Sequence, residues 1–247
     1  AQRTLSSGES MTLMPLGSAE SVTGMPDGVL AWTTTRADGS YGLGAVEPVG
    51  EVMERWARLQ HGLAALRIER LATAHQVHGA AVERHDGGWR GWLRLRGVDG
   101  HVTKSPGTAL AVTVADCTPV FVAHPGGAVA ALHAGWRGTA ARILDAGLDA
   151  LGAMGFPADE CVVHLGPSIC GPCYEVGPEV LSAVYGRPAT GKGQLDVREV
   201  LREQAWRRGV KQISSSAACT RCHADRFFSH RGGDPGRQLG VIALQSS

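Results

Sequence analysis

Two short segments of this 247-residue chain place cysteines three positions apart: "SICGPCYEVG", with Cys170 and Cys173, and "CTRCH", with Cys219, Cys222 and His223. Thiols at this spacing exchange disulfides or hold a metal. The redox use needs the first cysteine at a helix N-terminus, where the dipole lowers its pKa. Here Gly177-Pro178 follows within a turn, so the helix is expected to begin after the Gly-Pro and Cys170 has no dipole behind it. A shared four-ligand zinc site is chemically feasible. However, 45 residues, a helical segment among them, separate Cys173 from Cys219, whereas a zinc ribbon has a spacer of ~15–20. The spacing argues against a common ion and for small, half-buried thiols.

A second constellation lies upstream. "HQVHG" offers His75 and His78, "ADCTPV" offers Asp116 and Cys117, and "ALHAGWRG" offers His133. Each stands at the polar end of an apolar, strand-like run, and the ends of neighbouring strands converge in space. Two imidazoles and a thiolate brought together in this way hold Zn²⁺ or Cu and leave a position open, the arrangement of a catalytic metal. The same atoms suit a Cys-His hydrolase, with Cys117 as nucleophile and His133 or His78 as base. Residue types alone do not separate the two uses. Asp116 and His75 are the adjacent groups able to move protons.

The elements that must position these residues read as a mixed α/β chain. "GVLAWTTTR" is an early strand, and "PVGEVMERWARLQHGLAAL" is a helix with Val52, Trp56, Leu59 and Leu63 at helical spacing. Short apolar strands follow at "RLATAHQVHG", "AAVERH", "TALAVTVADC", "PVFVAH" and "AVAALHAG". "RGTAARILDAGLDALGAMG" reads as one helix, capped by Thr139, with Ile143, Leu144, Leu148 and Leu151 on one face and Gly155 closing it. "CVVHLGP" is a strand, "DVREVLREQAWRRG" a helix with Asp196 and Glu199 in capping-box positions, and "LGVIALQ" a final strand. Strands outnumber helices in the middle of the chain, which argues against strict βα alternation and for mixed sheet covered by helices.

Lys+Arg number 24 against Asp+Glu 23, so electrostatics gives no reason to expect nucleic acid or an anionic membrane as partner. The expected partner is a small molecule. The N-terminal run lacks the basic start and apolar stretch of a leader, and no apolar run approaches the ~20 residues needed to cross a bilayer. The expected location is the cytoplasm, with residues 1–24 as a loose tail on a single domain spanning 1–247.

The ordered segments "HQVHG", "ADCTPVFVAHPGGAVAALHAGWRG", "GPSICGPCYEVG" and "CTRCHADRFFSHR" resemble the family long labelled multicopper polyphenol oxidases, or laccase-domain proteins. The match runs nearly the full length, from "TTR" at Thr34 to the last strand. Members are understood as zinc-dependent purine nucleoside phosphorylases with adenosine deaminase activity. The resemblance therefore implies phosphorolysis of adenosine, inosine, guanosine or methylthioadenosine, with a purine nucleoside and phosphate as the partners. It implies metal binding by His78, Cys117 and His133, which selects the metal over the nucleophilic thiol. It also implies a four-layer αββα sandwich with mixed β-sheets, related to the catalytic domain of cytotoxic necrotizing factor toxins. Arg36 in "TTR", Arg231 in "FSHR" and Arg237 in "GR" become candidates for binding phosphate, whereas Arg137 in "GWRG" reads as structural. The family's usual "GGVS…SLNLG" stands here as "ADGSYGLGAVEP", without its Asn.

The copper label conflicts with the residues. A trinuclear copper cluster needs paired His-x-His motifs, and the chain has none. Copper-dependent polyphenol oxidation, a metal-free Cys-His amidase and a binding protein of cell-wall quality control are the alternatives to the phosphorylase.

Overall fold

The computed structural model describes residues 18–44 and 47–246. In chain order, strands β1 (Glu20–Ser21) and β2 (Val29–Thr33) precede helix α1 (Val49–Ala65). Then come β3 (Arg70–His75), β4 (Val82–His85), β5 (Gly91–Arg96), β6 (Gly100–Thr103), β7 (Thr108–Val114), β8 (Thr118–His124) and β9 (Ala128–Ala134). Helices α2 (Trp136–Ala140) and α3 (Ile143–Gly152) follow, then β10 (Val162–Leu165), β11 (Glu175–Val176) and α4 (Pro178–Tyr185). The remainder is β12 (Gly193–Gln194), α5 (Val197–Arg207), β13 (Gln212–Ser215) and β14 (Gln238–Leu244).

Two six-stranded mixed sheets form, ordered β1-β2-β14-β7-β3-β5 and β13-β10-β8-β9-β6-β4. Side-chain alternation dictates how they stack. On β8, Phe121 and Ala123 join Leu110, Val112 and Ile242 between the sheets, while Val120 and Val122 face outward among Leu144, Leu148 and Leu201 of α3 and α5. On β14, Val241 and Ala243 face Trp56, Leu59 and Leu63 of α1. Each sheet thus buries both faces, which is why the central strands read as continuous apolar runs. The result is the expected four-layer αββα arrangement.

Val52, Trp56, Leu59 and Leu63 are the buried positions of α1, as their spacing predicts. The region after Gly135 differs from expectation. It is two helices, with Gly135 at the N-cap of α2, Thr139 inside α2, and Arg142 in a left-handed conformation (φ 65°) between them. That single residue redirects the chain so that Ile143, Leu144, Leu148 and Leu151 pack on the second sheet. Asp196 caps α5 by accepting from the Arg198 amide, whereas Glu199 turns to Arg202, so only half of the capping box forms. Strands β5, β6 and β13 have no counterpart in the sequence reading. β5 and β13 are edge strands with largely exposed residues, β13 short and polar, and their pairing comes from their neighbours.

The expected loose tail falls partly on residues 1–17, which lie outside the described residues. Glu20–Ser21 pair with β2, and Glu20 accepts from Arg226 at 3.3 Å. Among the described residues, no helix is long and apolar enough to cross a membrane.

Candidate metal centre and active site

The register of the sheets brings the upstream constellation together. β3 and β7 are parallel neighbours, so "HQVHG" and "ADC" leave the first sheet at the same end. The three-residue connection Ala115–Cys117 then carries the chain straight into β8 of the second sheet. β8 pairs antiparallel with β9, with Pro119 opposite His133, which places the end of β9 beside Cys117. Ligand atoms of His78, Cys117 and His133 all lie within 4.8 Å of one another. His78 is exposed, Cys117 half-buried and His133 buried, so the cluster has one open side. Gly135 makes the approach possible: a Cβ there would stand 2.8 Å from Cys117 Sγ and 3.3 Å from the His78 ring.

Asp99, which the sequence reading missed, organises the cluster. It is fully buried before β6, and its carboxylate accepts the backbone amides of Val77, His78 and Gly79 at 3.1, 2.9 and 2.7 Å. These bonds hold His78 in the left-handed region (φ 62°), where a non-glycine residue needs such support. The same carboxylate meets His133 Nδ1 at 2.8 Å, which turns Nε2 toward Cys117. A carboxylate behind a histidine is the usual support of a metal-ligating imidazole. A buried Asp in "VDG" carries no motif of its own, since turn-forming Asp is common and its partners lie in two other segments.

Charge follows this geometry. Although burial opposes ionisation, His133, with His78 adding, brings the Cys117 thiol down to about 6. Burial likewise opposes charge on His133, but Cys117 and Asp99 raise it to about 9. A thiolate, two imidazoles and a supporting carboxylate fit a borderline-soft divalent ion such as zinc, which would displace the proton that His133 otherwise carries.

Two cavities share this cluster. One, of about 370 Å³, is lined by Trp136, Ile169, Tyr174 and Val197 together with Arg137 and Arg231. The other, of about 340 Å³, is lined by His75, Gln76, Arg94 and Arg237. His78, Cys117 and His230 border both. Arg231 lies over the Tyr174 ring at 4.8 Å and donates to the Glu175 carbonyl. Arg237 is held by the carbonyls of Asp234, Pro235 and Gly236, and its amide donates to Ser40 Oγ in the atypical "ADGSYGLG" segment. In the longer "ADGSYGLGAVEP" run, positions 45 and 46 lie outside the described residues.

Arg36 is not brought to either cavity. Its guanidinium bonds the carbonyls of Ala224 and Phe227 and pairs with Asp234 at 2.9 Å. Asp116 borders the first cavity in a left-handed conformation (φ 81°), and its two oxygens accept from Thr220 Oγ1 and the Arg231 amide, each at 2.6 Å. Arg137, expected to be structural, stacks on Trp136 at 4.3 Å and faces the cavity, and among the described residues nothing hydrogen-bonds its guanidinium. His230, inside the quoted "FSHR", was also passed over. Its position beside the His-Cys-His cluster depends on a loop from the far end of the chain.

The αββα sandwich thus carries, at its strand ends, a buried carboxylate–histidine pair and a His-Cys-His cluster that could hold a metal ion. The model of the family described as multi-copper polyphenol oxidoreductase laccase matches residues 38–245, and the chain belongs to that family. It is 38% identical over 183 residues to "Purine nucleoside phosphorylase SCO2081" of Streptomyces coelicolor, covering 71% of this chain and 75% of the relative. It is 35% identical over 233 residues to "Adenosine deaminase RL5" of an unknown prokaryotic organism, covering 83% and 89% of the two chains. The solved structure of YlmD from Geobacillus stearothermophilus superposes with a TM-score of 0.82 at 30% identity, over 89% of this chain and 93% of that one.

Proposed function

We propose that the chain is a purine nucleoside phosphorylase that also deaminates adenosine, with zinc held by His78, Cys117 and His133. The observation that carries this reading is a thiolate–imidazole centre opening onto a cavity that combines an apolar, aromatic wall with two arginines. The names of its relatives support both activities. The substrates are adenosine, inosine, guanosine or methylthioadenosine, with inorganic phosphate.

Trp136, Ile169, Tyr174 and Val197 offer flat apolar surface for the purine. Arg137 and Arg231 hold phosphate beside the anomeric carbon, as forked cations do for oxyanions. Phosphorolysis forms a bond from a phosphate oxygen to C1′ while the bond from C1′ to N9 breaks; the electron pair leaves on the purine, which takes up a proton. His230, bordering both cavities, and His75, in the second, are assigned to move protons there. Asp116 acts as a positioning residue, because its oxygens already fix Thr220 and Arg231. Arg237 supplies cationic character to the second cavity, and Arg36 fixes the loop that carries His230 and Arg231. When bound, zinc would supply Lewis-acid polarisation at the cavity floor. Six free cysteines suit a reducing compartment, and we place the enzyme in the cytoplasm.

One observation favours a second reading. Cys117, His133 and Asp99 also form a thiolate–imidazolium–carboxylate series, the equipment of a metal-free Cys-His amidase. Incubating wild type and Cys117→Ala with adenosine, with and without phosphate, tests both. Phosphate-dependent release of adenine and ribose 1-phosphate that chelation abolishes in the wild type is expected. Equal turnover by the two proteins would overturn the metal-site reading, and a chelation-resistant activity lost on alkylation of Cys117 would favour the amidase.

A further inference from the structure

The two Cys-x-x-Cys segments do meet, despite their separation in sequence. Ser168 and Cys219 form a parallel bridge, and the Thr220 amide donates to the Ser168 carbonyl at 3.2 Å, which sets the two turns side by side. Gly171–Cys173 form a turn of 3-10 helix, not the start of an α-helix, since α4 begins at Pro178 as expected. A tight turn directs the first and fourth residues of each segment to the same side. The sulfurs of Cys170, Cys173, Cys219 and Cys222 all fall within 4.8 Å of one another, and Cys173 Sγ is 3.5 Å from Cys222 Sγ.

Four sulfurs at ~2.3 Å from a zinc ion stand ~3.8 Å apart along the edges of the tetrahedron, close to this spacing. The backbone supplies the accompanying donors: the amides of Cys170 and Cys222 point at Cys219 Sγ at 3.3 and 3.4 Å. A tetrahedral all-sulfur set selects zinc or iron, and binding such an ion would release the thiol protons as the four sulfurs become thiolates.

We propose that Cys170, Cys173, Cys219 and Cys222 bind one zinc ion in a closed structural site, separate from the His78, Cys117 and His133 cluster. With all four positions filled by sulfur, the ion has no place for substrate. Its function is to fasten the outer wall of the first cavity. The 170–173 turn leads directly into Tyr174, and Cys219 adjoins Thr220, whose hydroxyl holds Asp116.

The test counts metal in Cys117→Ala protein, produced with zinc and purified under reducing conditions, so that the outcome does not depend on the catalytic reading. One tightly held zinc per chain is expected, falling to none when Cys173→Ser and Cys222→Ser are added. Cobalt substituted into Cys117→Ala should show the charge-transfer and d–d bands of a tetrahedral tetrathiolate. Cys222→His, which keeps a ligand, should retain one zinc but lose part of the sulfur-to-cobalt intensity, and it remains informative if the double variant does not fold. Iron in place of zinc, a stoichiometry unchanged by the cysteine substitutions, or an unreduced mass lower by two hydrogens from a Cys173–Cys222 disulfide would each overturn the proposal.

Discussion

Asp99 and His133 meet at 2.8 Å with both side chains withdrawn from water, and the same carboxylate gathers the three consecutive amides that hold His78. One carboxylate thus fixes two of the three candidate ligands. Asp99→Asn keeps the shape but removes the charge, so metal affinity at this centre should fall ~10–100-fold. Loss of one partner from a buried pair should also cost ~3 kcal/mol of stability. Zinc release to a competing chelator and urea unfolding read the two effects separately.

Gly135→Ala should damage the site more than the fold. Its Cβ would lie 2.8 Å from Cys117 Sγ, and the thiol can yield by rotating away from the two histidines. The expected result is metal loss comparable to Cys117→Ala with a melting temperature within a few degrees of wild type. A large fall in melting temperature with full metal retention would show that the thiol had not moved.

The arginines should divide into two behaviours. Arg137→Ala removes a guanidinium engaged, among the described residues, only by stacking on Trp136, so folding should be unaffected while the KM for phosphate rises at least ~10-fold. Arg36→Ala breaks the pair with Asp234 and two bonds to carbonyls. It should lower stability by ~1–2 kcal/mol, discounted for partial solvent screening, and affect KM for phosphate less than Arg137→Ala does. Steady-state kinetics with varied phosphate, alongside thermal melts, check the contrast.

The His85–His101 pair makes stability pH-dependent away from the site. Burial, with His85 adding, holds His101 down at about 3, and burial also lowers His85. Below about pH 6.5 the unfolded chain binds protons that the folded chain refuses, so stability falls as pH drops from ~6.5 toward ~3 and is fully present above that window. The slope is up to ~1.4 kcal/mol per pH unit for each histidine. His101→Leu should remove about one proton's worth of that slope, measured by urea unfolding across the window.

Much of the architecture can be read from local pattern. The spacing of Val52, Trp56, Leu59 and Leu63 specifies one face of α1, and the apolar runs at β7, β8 and β9 announce strands buried on both sides. Short polar strands such as β13, and the break at Arg142, carry no such pattern. They follow from what their neighbours demand rather than from their own residues.

For the site, chain chemistry offers His75, His78, Cys117 and His133 as ligand types at the ends of apolar runs, and the family resemblance narrows them to His78, Cys117 and His133. Their company does not follow from chain chemistry. Asp99 joins the cluster because two sheets align their ends there, Arg137 and His230 line its cavity from α2 and from the loop before β14, and Arg36 is drawn away because Asp234 and two carbonyls hold it. The cysteine pairs show the same division most plainly. Their spacing within each segment prepares thiols for one ion, but the distance along the chain argued against sharing it. Only the bridge between Ser168 and Cys219 brings the four sulfurs to one point, because proximity is set by strand pairing rather than by separation in sequence.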